Sequence, residues 1–260
     1  MAIRLPQQGW LFDLDGTVYL GEALIPGAAR TLAALRADGR RVAFLSNKPL
    51  YTRADYAAKL TRLGVPARED EVVNSSIVLA RHLQKLDPGA PVFVIGEPPL
   101  IGELRAHGFE VRNDPDVRWV VIAFDRTFDY AKLNTALQAV RRRDARLIAT
   151  NPDRTCPTDE GEIPDCAGMM AAVEAVTGKT VEVIVGKPSP IILEVALERL
   201  GVAARDCVIV GDRLETDMEM GKRLGLATVL VLTGVTREGD ARIAETAPDL
   251  VLASIRDLLR

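Results

Sequence analysis

Between residues 9 and 64 the chain alternates two short apolar runs with two helix-period segments, and this order restricts the fold more than any other feature. Residues 10–12, Trp-Leu-Phe, read as the end of a buried strand. Residues 28–37 carry apolar side chains at helical spacing (Ala29, Leu32, Ala33, Leu35) and stop at Asp38-Gly39. Residues 41–45 read as a second strand, and 52–63 as a second helix ending at Gly64. Strand, helix, strand, helix implies parallel pairing with right-handed crossovers. In such a sheet the ligand lies beyond the carboxyl ends of the strands. The residues that follow each strand therefore carry the functional information.

After the first strand comes Asp13-Leu14-Asp15-Gly16-Thr17. Residues two apart, such as Asp13 and Asp15, share a face while the chain stays extended. Two carboxylates that close repel each other and need a shared proton or a bound cation. Hard oxygen ligands of this kind suit Mg2+. An ordinary Asp-Gly turn is the bland alternative. A calcium loop is excluded, because the positions that need Gly and Glu hold Val18 and Leu24. Ser46-Asn47 follows the second strand and could also be a helix cap. Further on, the apolar run 181–185 leads into Gly186-Lys187-Pro188, and 207–210 leads into Gly211-Asp212, with Asp217 in a helix expected over 216–224.

Taken singly, Lys187 could be a solvated lysine, Asp212 a turn residue and Asp217 an exposed helix position. All of them, however, stand just past apolar strands. Together they match the needs of phosphate-monoester hydrolysis, which are charge neutralisation, positioning and an in-line nucleophile. Asp13 is the candidate nucleophile, forming an aspartyl-phosphate. Asp15 is the candidate acid for the leaving alcohol and then base for the attacking water. Mg2+ held by Asp13 and Asp212 offsets the repulsion of anion by anion. Lys187 and the Ser46-Asn47 turn are the expected phosphate side of the site. His82 and His107 fall in the middle segment and read as plain helix residues.

The chain has 260 residues, 48% of them hydrophobic, and a formal charge of −3 with mixed signs. That balance lacks the basic face of a nucleic-acid polymer binder. No apolar run reaches membrane-spanning length, and residues 1–9 lack the apolar centre of a signal peptide. Cys156, Cys166 and Cys207 are an odd count without metal spacing, as expected for reduced thiols in the cytoplasm. Gly178-Lys179-Thr180 is not a P-loop, because the glycine required upstream is Val173. Asp15 and Ser46 are 31 residues apart, room for one crossover, whereas Ser46 and Lys187 are 141 apart. An inserted domain must fill that gap, and residues 76–176 alternate strands and helices as a complete α/β unit. The expected division is a doubly wound, Rossmann-like core at 1–76 and 184–260 with an α/β cap at 77–183.

With these residues in order, the chain resembles the haloacid dehalogenase superfamily of phosphohydrolases. The four signatures are Asp13-Leu14-Asp15-Gly16-Thr17, Ser46, Lys187, and Gly211-Asp212 with Asp217. Tyr19-Leu20-Gly21, Ile25-Pro26-Gly27-Ala28, Asn151-Pro152-Asp153, Gly186-Lys187-Pro188-Ser189-Pro190 and Thr233-Gly234-Val235 resemble its p-nitrophenyl phosphatase, or NagD-like, branch. The resemblance implies that the Asp15 carbonyl also ligates Mg2+ and that Asp217 supports the metal's water shell. It implies a cap that supplies substrate contacts, with Asn151 and Asp153 in a cap loop facing the phosphate, and a homodimer by analogy. The second Asp of the first motif points to a phosphatase rather than a dehalogenase or ATPase. Two departures touch substrate choice. Ser46-Asn47-Lys48-Pro49 differs from the usual Thr-Asn-Asn-Ser, and Ile163-Pro164-Asp165-Cys166 replaces a more usual Pro-Gly-Ala-Gly. The substrate expected is a small phosphorylated metabolite. A phosphotransferase or mutase, and a non-catalytic binder on the same fold, are the alternatives.

Overall fold

The strand Gly9–Asp13 lies inside a six-stranded sheet, buried along its length up to Phe12 and half-buried at Asp13. The computed structural model describes residues 5–158 and 161–259. In sheet order the strands are Leu250–Leu252, Ala227–Val231, Cys207–Gly211, Gly9–Asp13, Arg41–Ser46 and Val72–Asn74. The first five pair in parallel. Both faces of such a sheet are covered, which is why its strands read as near-continuous apolar runs. Phe12 pairs in register with Phe44 on one side and Val210 on the other, and all three are fully buried. Helices Ala28–Ala37 and Arg53–Arg62 contribute Leu32 and Leu60 to the same core. The register decides where the chemistry falls. Asp13 pairs with Leu45, so Asp13, Ser46 and Gly211 leave the sheet at the same edge.

A second sheet has five parallel strands in the order Val183–Ile184, Arg146–Ala149, Trp119–Ile122, Pro91–Ile95 and Glu110–Arg112. Helices Ser75–Leu86, Pro98–Ala106, Tyr130–Arg143 and Cys166–Thr177 accompany it. Its core includes Ile95, Val120, Ile122, Ala139, Leu147 and Val173. Strands Thr155–Thr158 and Gly161–Pro164 pair antiparallel beside the sheet.

The chain divides into two compact units, one of residues 1–46, 53–73 and 187–260, the other of 47–52 and 74–186. The sequence boundaries shift accordingly, and 47–52, expected in the core, belongs to the second unit. Its anchors explain why. Ser75 Oγ donates to the Asn47 carbonyl at 2.7 Å, Asn74 Nδ2 donates to the Tyr51 carbonyl at 3.1 Å, and Leu50 packs with Phe124 and Cys156. The helix expected over 216–224 also changes. A π-helical turn, Leu214–Met218, precedes a short α-helix, Glu219–Leu224. Among the described residues no helix is long and apolar enough to cross a membrane.

Candidate active site

In the first unit, three carboxylates and one lysine converge. Asp13 is the last residue of its strand, and Lys187 Nζ donates to its Oδ1. The same ammonium donates to Asp217 Oδ1 at 2.7 Å. Lys187 and Asp217 are buried, at 2% and 0% exposure, so this is a pairing out of water rather than a surface contact. The π-helical turn that follows Gly211-Asp212 carries Asp217 back to the strand end, where its Oδ2 accepts the Arg213 N–H at 3.3 Å. Asp212 Oδ2 accepts the Val235 N–H at 2.6 Å, while its Oδ1 is buried with no hydrogen-bond partner.

Two glycines make this crowding sterically possible. A Cβ at Gly234 would lie 1.8 Å from Asp212 Oδ2, and one at Gly211 would lie 2.3 Å from Asp217 Cγ. The 233–235 turn is tied to the first strand's loop by Thr233 Oγ1, which donates to the Gly16 carbonyl at 2.6 Å. Sequence reading marked Thr233-Gly234-Val235 by resemblance alone. Its place as a wall of the carboxylate site comes from the structure.

Electrostatics follow from the count of charges. Burial is the main force pushing the Asp212 carboxyl up to about 8, with the charges of Asp13 and Asp217 adding to it. Burial also pushes Asp13 up to about 6, against the pull of Lys187. Burial opposes the charge on Lys187, but Asp13 and Asp217 outweigh it and hold the ammonium protonated. The site thus has more negative charge than one lysine can balance. Carboxylate oxygens of Asp13, Asp212 and Asp217 lie within 4.8 Å of one another. Hard oxygen donors, excess negative charge and the unpartnered Asp212 Oδ1 fit a hard divalent cation.

The other expected residues divide between the units. Ser46 is buried in the first, and its Oγ donates to the Tyr56 hydroxyl at 3.3 Å. Asp15 is half-buried in the turn closed by Gly16 N–H to the Tyr19 carbonyl, and its carboxylate is not one of the three that converge. Asn47, Asn151 and Asp153 meet one another in the second unit. Asp153 Oδ2 accepts from Asn47 Nδ2 at 2.9 Å and from Asn151 Nδ2 at 2.8 Å. Asp165 completes this buried network. Its Oδ1 accepts Asn151 Nδ2 at 3.1 Å and the Cys166 N–H at 2.6 Å, capping the helix Cys166–Thr177. Burial, then the charge of Asp153, pushes the Asp165 carboxyl up to about 6.

A parallel sheet whose central strand ends in a half-buried aspartate, faced by a lysine and two further aspartates, defines an α/β enzyme of the phosphoryl-transfer type. The chain belongs to the haloacid dehalogenase-like hydrolases. The sequence pattern of that family matches residues 10–110, and the pattern described as HAD-hydrolase-like matches 184–258. A protein named sugar-phosphatase AraL from Bacillus subtilis is 40% identical over 97% of this chain and 92% of its own. The crystal structure of a 4-nitrophenylphosphatase from Thermotoga maritima superposes with a TM-score of 0.93 at 37% identity, covering 98% of this chain and 97% of that one. A glycerol phosphate phosphatase from Mycobacterium tuberculosis, solved in complex with magnesium, gives 0.88 at 33% identity over 98% of this chain and 77% of its own.

Proposed function

We propose that this chain is a Mg2+-dependent phosphomonoesterase that hydrolyses small phosphorylated metabolites through an aspartyl-phosphate. The observation that carries the reading is Asp13 at the end of the central strand, paired with buried Lys187 beside Asp212 and Asp217. Asp13 attacks phosphorus and Lys187 holds the phosphoryl oxygens as their charge shifts. Asp15, two residues on, gives a proton to the leaving alcohol and later takes one from the attacking water. Ser46 completes the phosphate cradle. Asp13, Asp212, the Asp15 carbonyl and Asp217 are the groups that would hold the ion. Bound there, Mg2+ neutralises the excess carboxylate charge and polarises the phosphoryl group.

We assign substrate choice to the second unit, with Asn47, Asn151 and Asp153 as its phosphate-side contacts. The names of the relatives support sugar phosphates and glycerol phosphate as the first substrates to try. Cys156, Cys166 and Cys207 are buried thiols, which agrees with a cytoplasmic setting.

Asp13→Asn tests the reading. It keeps the shape of the side chain and removes the nucleophile, so p-nitrophenyl phosphate turnover with Mg2+ present should fall by about a thousandfold or more. Activity within tenfold of the parent chain would refute the assignment. EDTA should likewise stop turnover, and added Mg2+ should restore it.

A further inference from the structure

The first unit contains a cavity of about 880 Å3 at the opposite end of its sheet from Asp13. Its wall includes Arg41, the first residue of the strand whose last residue is Ser46. Five residue steps along a strand span roughly 16 Å, so this cavity is separate from the carboxylate site.

Five arginines line it: Arg36, Arg40, Arg41, Arg68 and Arg199. Two of them are balanced. Arg36 pairs with Glu71 at 3.1 Å and Arg68 with Asp70 at 3.0 Å. The other three have no carboxylate partner among the described residues. Arg40 Nη1 donates to the carbonyls of Pro6 and Gln7 at 2.8 and 3.0 Å. Arg41 Nη1 donates to the carbonyls of Leu200 and Gly201 at 2.7 and 3.0 Å. Carbonyl partners fix a guanidinium in place without cancelling its charge. The remaining N–H groups of these two forks stay available, and Arg199 stands exposed on the same wall. Two clamped guanidiniums and a third beside them form a preorganised anion receptor, and planar forks of this type match phosphoryl oxygens two at a time.

We infer that this cavity binds a small molecule carrying a diphosphate group, at a site distinct from the catalytic one. The charge count sets the class. A single phosphate monoester brings less than two full negative charges at neutral pH, short of three unbalanced guanidiniums, whereas two linked phosphates come close to matching them. The volume lies within the range of small-molecule and cofactor sites and exceeds what one phosphate needs.

Inorganic pyrophosphate is the probe. It is titrated calorimetrically into the whole protein at low ionic strength with EDTA present. Without a cation, the three carboxylates around Lys187 repel an anion, so the catalytic site stays silent. One saturable site per chain is expected. The Arg40→Gln/Arg199→Gln double variant should weaken it at least tenfold, and Asp13→Asn should leave it unchanged. Arg199→Gln alone, which breaks no hydrogen bond or ion pair among the described residues, should weaken it severalfold and leave p-nitrophenyl phosphate turnover within twofold of the parent. Absence of saturable binding would overturn the inference. So would retention within twofold in Arg199→Gln and the double variant, or displacement by equimolar sulfate, which would mark a nonspecific basic patch. Because the titration reads binding without Mg2+, its outcome is independent of whether the catalytic assignment holds.

Discussion

At the scale of single residues, the carboxylate site depends on side chains that are absent as much as on those present. Gly234 places its Cα where Asp212 needs room, since any Cβ would overlap Asp212 Oδ2 at 1.8 Å. Gly234→Ala therefore has to move either the 233–235 turn or the Asp212 carboxylate. The turn is tied to the Gly16 carbonyl by Thr233 Oγ1, so the carboxylate is the softer element. The expected outcome is a chain that folds but needs at least tenfold more Mg2+ for half-maximal turnover, read from a metal titration of p-nitrophenyl phosphate hydrolysis. Unchanged metal dependence would show that Asp212 does not take part in holding the ion. Asp13, Lys187 and Asp212, which converge in the structure, were legible in the sequence because each stands where an apolar run ends abruptly, and Asp217 joined them through the family resemblance. Gly234 was not legible as a wall, because its partner Asp212 reaches it only through folding.

At the scale of elements, the buried Asn47, Asn151, Asp153 and Asp165 network joins two loops of the second unit and the start of a helix. Asp165 is its one strained charge. Its folded value of about 6 lies above the ordinary 3.8, so the native state binds the proton more tightly than the unfolded chain does. Stability from this group is therefore full below pH 4 and is lost as pH rises through 6. Asp165→Asn keeps an oxygen acceptor for the Cys166 N–H and Asn151 Nδ2 while removing the charge. Urea melts should show the variant more stable than the parent at pH 7.5, by on the order of 2 kcal/mol, with the difference shrinking toward zero near pH 4. A difference that does not change with pH would show that Asp165 is not the group responsible. The edges of most elements were readable from periodicity. Ala28–Ala37 stands where apolar spacing put it. Glu110–Arg112, Val72–Asn74 and the antiparallel pair Thr155–Thr158 with Gly161–Pro164 were not readable, being too short to show a period and defined by strand pairing. The π-helical turn at Leu214–Met218 was read as ordinary helix, because one wide turn barely changes the spacing of apolar residues.

At the scale of the whole molecule, the presence of two units was legible from the 141-residue gap between Ser46 and Lys187, because no crossover needs that length. The assignment of 47–52 to the second unit was not, because it rests on contacts made across sequence, such as the Ser75 hydroxyl on the Asn47 carbonyl. The same scale sets the cost of the active site. Asp13, Asp212 and Asp217 crowd three carboxylates against one lysine inside a core that would otherwise be apolar. Asp212, pushed up to about 8 chiefly by burial, opposes folding whenever it is ionised and no cation is bound. Function and stability should therefore pull in opposite directions. In EDTA at pH 8.5, Asp212→Asn should melt at a higher temperature than the parent chain, by about 2–4 °C for each kcal/mol of repulsion relieved. Adding Mg2+ should reverse the order. The parent chain gains stability by mass action as the ion binds its native state, while the variant, short of one ligand, gains little and stays inactive. Differential scanning calorimetry with and without Mg2+ reads both effects. A parent chain whose melting temperature ignores Mg2+, or a variant that melts below it in EDTA, would show that the carboxylate cluster is not the strained, metal-seeking centre described above.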